Sequence, residues 1–336
     1  MQEIRTQDFL FQRIRERLPA ASSLADVISE LLFISNDSAY RRIRGETPLV
    51  LDEARILCDA FSISLDDALH TKNNTISFTF TQMDNVNYSF RQYLQEILTN
   101  LKMVASAGSK EIIYLSKDVP IFYNFLFSPL FAFRYFFWMK SIMQHPDFTH
   151  LQFSDEFLSP EIESLGKEIV KEYASISSTE IWNTESINST IAQIEYYREA
   201  GYFRSAEQIE KIYSSLHGLL EHIKFQAEAG SKFLPGENVN IKANNYNLFY
   251  NRVVLGDNTI MVVANGQKML YLTYDVLNYM ITRDEGFCND VHSKLENLIR
   301  RATIISSGSE KQRNIFFNIL QRKIPMRMPA INNNSL

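Results

Sequence analysis

Residues 23–69, SLADVISELLFISNDSAYRRIRGETPLVLDEARILCDAFSISLDDAL, constrain the fold more than any other stretch of the chain. Leu24, Val27, Ile28, Leu31 and Leu32 recur at spacings of three and four, which places them on one buried helical face, and Ser23 is a good N-cap for that helix. Ile34 closes it. Ser35, Asn36 and Asp37 favour a turn and the start of the next helix, because short polar side chains satisfy free backbone N–H groups there. The next helix is expected over residues 38–44, ended by Gly45. On it, Tyr40 and Ile43 are expected to face the core with Ala39, leaving Ser38, Arg41, Arg42 and Arg44 outward. TPLVLDEARILCDAF and ISLDDAL read as two further helices.

This order of helix, tight turn and short arginine-rich helix, carried by LADVISELLFIS and DSAYRRIRGE, resembles the lambda-repressor/Cro-like (XRE-type) helix-turn-helix family over roughly residues 7–70. Phe33 stands where many members have a turn glycine, the turn is one residue longer than usual, and the glutamines common at the starts of helices two and three are missing. The resemblance implies a five-helix DNA-binding bundle whose third helix enters the major groove of double-stranded DNA. It also implies a contact set: Ser22 and Ser23 at the start of helix two, with Asn36, Asp37, Ser38, Arg41, Arg42 and Arg44.

Charge has to be divided to be informative. The formal net charge is −5, and residues 1–70 hold eight arginines, no lysine and twelve acidic residues. Arg13, Arg15 and Arg17 nevertheless form one cluster, and Arg41, Arg42 and Arg44 another. Phosphate binding depends on local positive potential at the contact face, for which summed charge is a poor proxy. The plain alternative for these arginines is a solvated face paired with Glu16, Asp37 and Glu46. Weak non-specific affinity recovered by homodimerisation is expected.

A chain of 336 residues exceeds one small bundle several-fold, so a second domain must follow. With 45% hydrophobic residues, 11 glycines and 9 prolines, it belongs to neither a disordered nor a fibrous class. Cys58 and Cys288 lie in different segments, which suggests neither a disulfide nor a zinc site and fits a reduced cytoplasm. Met1 to Arg17 is polar and charged, with no apolar core of a leader. The aromatic stretch 121–143 is interrupted by Asn124, Pro129, Arg134 and Lys140, so two short helices broken at Ser128-Pro129 are expected rather than a membrane span.

Residues 71–82 read as a polar linker and extended arm with Ile76, Phe78 and Phe80 on one side. Helices are expected at about 87–106, 160–176, 184–200, 205–228, 287–302 and 309–322, and a buried strand at 110–116. Runs 247–255, 259–264 and 268–273 are β-rich and separated by turn residues, including Asn265-Gly266, so a meander of at least three antiparallel strands is expected. The fold class that follows is multidomain and mostly α. A five-helix bundle (1–70) and the linker (71–82) precede a larger α+β domain with an antiparallel β-meander (83–325), and a tail (326–336) is expected to fray.

No constellation in the second part matches a catalytic motif. His217 and His222 lie five apart, off the shared face an i, i+4 metal pair needs. His292-Ser293-Lys294 begins like the HxK of phospholipase-D-type phosphodiesterases, but the position of their aspartate is Ile299. Ser306-Ser307-Gly308-Ser309-Glu310-Lys311 lacks phosphate-loop spacing and reads as a loop capped by Ser309. Trp182, Tyr196 and Tyr197 read as core. The expectation is therefore a cytoplasmic DNA-binding transcription regulator, with no enzyme activity, no metal and no cofactor. Its second domain is expected to dimerise and to sense a small-molecule or protein effector, an expectation from domain order. Two other readings stand beside it: an enzyme in residues 110–320 carrying a targeting module, and a protein-interaction module that has lost DNA binding.

Overall fold

The computed structural model of the chain describes residues 5–18, 22–61, 63, 76–80, 89–237, 244–253 and 256–324. The expected fifth helix over ISLDDAL, most of the expected linker and the tail lie outside the described residues, apart from Ile63. The chain divides into two compact units, Met1–Phe78 and Thr79–Leu336, so the division falls inside the expected linker.

In the first unit, α1 (Thr6–Arg17), α2 (Leu24–Leu32), α3 (Asn36–Ile43) and α4 (Leu51–Ala60) surround one apolar core. Leu10, Phe11 and Ile14 of α1 meet Ile28 of α2, Ala39 of α3, and Leu57 and Cys58 of α4. Gln7 holds the α3–α4 loop, since its amide donates to the Arg42 and Thr47 carbonyls at 2.7 and 2.8 Å and accepts from the Leu49 N–H at 2.9 Å.

The second unit is built on one mixed eight-stranded sheet in the order β1-β7-β6-β5-β2-β3-β4-β8. Its strands are β1 (Thr79–Phe80), β2 (Lys110–Ser116), β3 (Ser177–Trp182), β4 (Tyr246–Tyr250), β5 (Thr259–Ala264), β6 (Gln267–Thr273), β7 (Tyr279–Thr282) and β8 (Thr303–Ile304). β2, β3 and β4 are parallel, and every other pairing is antiparallel.

The expected meander of 247–255, 259–264 and 268–273 is corrected by this topology. β5 and β6 do form the Asn265-Gly266 hairpin, with both turn residues at positive φ (50° and 82°). The third meander strand is β7, whereas β4 is separated from β5 by β2 and the unforeseen β3. Parallel neighbours need long crossovers: α5 (Phe90–Ala105) leads into β2, α6 (Ser128–Phe137) and α7 (Pro160–Ser175) lie between β2 and β3, and α8 (Asn188–Glu199) and α9 (Ala206–Ala229) between β3 and β4.

Alternation along β2 separates two cores. Ile112 and Tyr114 join the large aromatic core on one face, while Ile113 and Leu115 meet Cys288 and Leu295 of α10 (Glu285–Arg301) on the other. α11 (Glu310–Lys323) adds Phe316, Phe317 and Leu320 to the large core. The aromatic stretch is a 3-10 turn (Ile121–Phe125), then α6 with Pro129 in its first turn, then a π turn (Trp138–Ile142). Among the described residues, no helix is long and apolar enough to cross a membrane.

Candidate nucleic-acid interface

Helix α2 begins as its sequence suggests, with Ser23 Oγ accepting from the Asp26 N–H at 3.4 Å. It ends at Phe33, whose backbone is left-handed (φ 54°), and the Ile34 N–H returns to the Ser29 carbonyl at 3.0 Å. The phenylalanine thus performs the backbone role of the missing turn glycine, and its ring is 95% exposed. Ser35 is the N-cap of α3, accepting from the Ser38 N–H at 3.3 Å. The helix therefore starts at Asn36, two residues earlier than expected, and Arg44 is its C-cap.

The inward face of α3 is narrower than expected. Ala39 is fully buried and Ile43, four residues on, packs partly against the core; the small alanine is what the tight α2–α3 approach accepts. Tyr40, expected in the core, is instead 51% exposed. Asn36, Asp37, Tyr40, Arg41 and Arg44 are all exposed and recur at the spacing of one outer face.

The expected contact residues divide accordingly. Ser22 and Ser23 are exposed at the start of α2, with the Ser23 hydroxyl engaged as the cap. Asn36 is exposed but donates from Nδ2 to Asp26 Oδ1 at 3.0 Å, which ties the start of α3 to α2. Asp37 lies in the first turn of α3, where the helix dipole favours an acid. Ser38 is half-buried against Ser35, their hydroxyls 3.0 Å apart.

Arg42 departs from the outward reading. Its guanidinium turns onto Glu53 of α4, which holds the Glu53 carboxyl below the usual carboxylate range, chiefly by that hydrogen bond, and raises the arginine further. Arg41 and Arg44 do face outward, and Glu46 sits 3.9 Å from the first and 3.1 Å from the second. Pairs this exposed are weak and screened by salt, so both arginines are available to a competing phosphate. Of the α1 cluster, Arg13 pairs with Glu16 at 3.2 Å and lies over the Phe9 ring, and Arg17 donates to the Phe61 carbonyl.

His222 is half-buried, with Nε2 2.9 Å from the Phe233 carbonyl oxygen, and desolvation lowers its pKa; His217 is exposed. His292 lies 3.8 Å from Glu296, and Lys294 pairs with Asp290. Ser309 occupies the N-cap position of α11 without a side-chain cap bond, so that expectation holds in place but not in mechanism. The loop carbonyls of Ile305 and Ser307 are held by Arg313 instead. Trp182 and Tyr197 are buried as expected, whereas Tyr196 is exposed. Among the described residues, no three His, Cys, Asp or Glu side chains gather as a metal site.

One buried polar cluster has no sequence signature. Glu180 of β3 accepts from Tyr123 and Tyr173 hydroxyls at 2.8 and 2.6 Å, from the Trp182 indole at 2.8 Å and from Tyr246 at 3.1 Å. Buried Lys232 donates to the Tyr173 carbonyl at 2.6 Å and lies over that residue's ring; burial lowers its pKa to about 7. The cluster satisfies a buried acid inside an aromatic core, and its members are scattered too widely in sequence for spacing to reveal them. No family model, curated protein or solved structure matches the chain.

Proposed function

We propose that the chain is a sequence-specific DNA-binding transcription regulator of the cytoplasm whose first unit is a lambda-repressor-like helix-turn-helix bundle. The observation that carries this reading is the outer face of α3, where Tyr40, Arg41 and Arg44 stand together on a short helix entered from α2 through a capped turn. Such a helix fits the major groove, with arginine side chains matched to guanine edges or phosphates and the tyrosine ring beside them. The exposed start of α2, with Ser22 and Ser23, offers backbone N–H groups to a phosphate. Arg42 belongs to the scaffold in this reading, so the contact set is smaller than the sequence implied.

One short helix on an acidic unit makes few phosphate contacts. Two copies, paired through the second unit on a pseudo-palindromic site, supply the affinity that one lacks. Selection of bound duplexes from a randomised pool by the purified full chain tests the reading. A recurrent inverted repeat, lost in an Arg41→Ala/Arg44→Ala double variant, is the expected result. Failure to enrich any motif at low and physiological salt would overturn it.

A further inference from the structure

Asp37 shares the outer face of α3 with Tyr40, Arg41 and Arg44, and it carries the wrong charge for a surface that meets phosphates. Asp37 and Arg41 are four residues apart and Arg44 is three beyond, which sets the three charges in one stripe along the helix. An acid and an arginine so spaced commonly pair. Here Arg41 turns to Glu46 at 3.9 Å instead, and among the described residues the Asp37 carboxylate has neither a hydrogen bond nor an ion pair.

The other polar side chains of α3 are already committed. Asn36 donates to Asp26 at 3.0 Å, Ser38 is bonded to Ser35 at 3.0 Å, and Arg42 is forked onto Glu53 at 2.7 Å. What α3 and its C-cap still offer to a ligand is Tyr40, two arginines weakly held by Glu46, and the unpaired acid.

The positive end of the helix dipole stabilises an acid in the first turn of the isolated unit. Between the phosphates that wall a DNA groove the same acid is repelled. Its place on this face therefore weakens binding to every sequence, unless a base offsets the repulsion.

Base chemistry leaves one such partner. A carboxylate only accepts hydrogen bonds. In the major groove guanine presents N7 and O6 and thymine presents O4, all acceptors that repel it; adenine has an amine, but N7 stands beside it as an acceptor. Cytosine offers its N4 amine with no acceptor alongside. Resting on the reading of the first unit as a DNA-binding bundle, we propose that Asp37 reads one cytosine in each half-site through that amine. Arg41 and Arg44 seek acceptors where Asp37 seeks a donor, so the stripe has a direction, and the cytosine lies at the end of the half-site met by the start of α3.

The test is selection of bound duplexes from a randomised pool by the full chain, by Asp37→Asn and by Asp37→Ala. The wild type is expected to fix cytosine at one position of each half-site. Asparagine pairs with adenine N6 and N7, so Asp37→Asn should replace that cytosine by adenine and keep the rest of the motif. Asp37→Ala should leave the position without preference. Fluorescence anisotropy on four duplexes that differ only there gives the magnitude. The wild type should favour cytosine by about tenfold or more, and Asp37→Ala should bind all four within about twofold. A motif unchanged in both variants would overturn the proposal and leave DNA binding standing. So would an equal tightening of all four duplexes by Asp37→Ala with the cytosine preference intact, because the acid would then act only by repelling phosphates. Failure of the wild type to enrich any motif would overturn the DNA-binding reading itself, and the cytosine contact with it.

Discussion

Arg42 and Glu53 are joined by two hydrogen bonds, Nε to Oε2 at 3.0 Å and Nη2 to Oε1 at 2.7 Å, between helices α3 and α4. Glu53 also accepts from the Val50 N–H at 3.2 Å at the start of α4, so one carboxylate closes a helix terminus and braces its neighbour. A bidentate fork of this kind is specific to arginine.

Stability and DNA binding should therefore separate among three adjacent arginines. Arg42→Ala is expected to destabilise the first unit by about 1–3 kcal/mol. Arg41→Ala and Arg44→Ala should leave stability within about 0.5 kcal/mol and weaken duplex binding by about 1–3 kcal/mol each. Glu46→Gln, which frees both outer arginines, should tighten binding. Urea unfolding and fluorescence anisotropy on the selected duplex measure the two effects, and equal DNA losses at all three arginines would contradict the division.

The same pair sets an acid limit. Because the folded Glu53 carboxyl lies below its unfolded value of about 4.3, its contribution is complete above that pH and is lost as pH falls through the folded value. Glu53→Gln should lower stability at neutral pH and flatten the fall below about pH 4.3. Unfolding midpoints of both proteins from neutral to acid pH provide the check; parallel curves would assign the acid sensitivity to other carboxylates.

Phe33→Gly is expected to stabilise the chain. A non-glycine residue in the left-handed region costs about 1–2 kcal/mol, partly offset by the unfolded-state entropy of glycine, and an exposed ring gives up little packing. The net gain should be about 0.5–1 kcal/mol in urea unfolding. A lower midpoint would mean that the ring is held by contacts worth more than the backbone strain.

Lys232 predicts a second pH dependence, of opposite origin. Between about pH 7 and about pH 10 the unfolded chain carries a proton on this lysine that the folded chain lacks, so stability should rise with pH across that window. Lys232→Met should remove the rise. Denaturation curves at intervals through the window test it, and a rise that persists in the variant would point to another group.

Light scattering of the full chain, free and on a selected duplex, is expected to return twice the monomer mass. A monomer in both states at micromolar concentration would exclude the paired arrangement.

The legible parts of this chain were those governed by local periodicity. The Ser23 cap, the Leu24–Leu32 face and the Asn265-Gly266 hairpin all follow from neighbours in sequence. The inward turn of Arg42 depends on Glu53 in another helix, and the exposure of Tyr40 on which side of α3 the neighbouring helices cover. β3 carries no strand signal of its own, because SSTEIW is short and opens with polar residues, and its strand character comes from the neighbours β2 and β4. Asn124, Arg134 and Trp138 fall within an aromatic run whose periodicity signals core, and all three are buried despite their polar groups.

The two ends of the sheet bear on how copies of the chain meet. Its edge strands, β1 and β8, pair over two residues each, Thr79–Phe80 and Thr303–Ile304. Edges so short offer almost no backbone ladder for a strand from another molecule to extend. Among the described residues, side chains on helices and loops therefore offer more to a second copy than the sheet edges do, and there a single substitution can tune or abolish pairing.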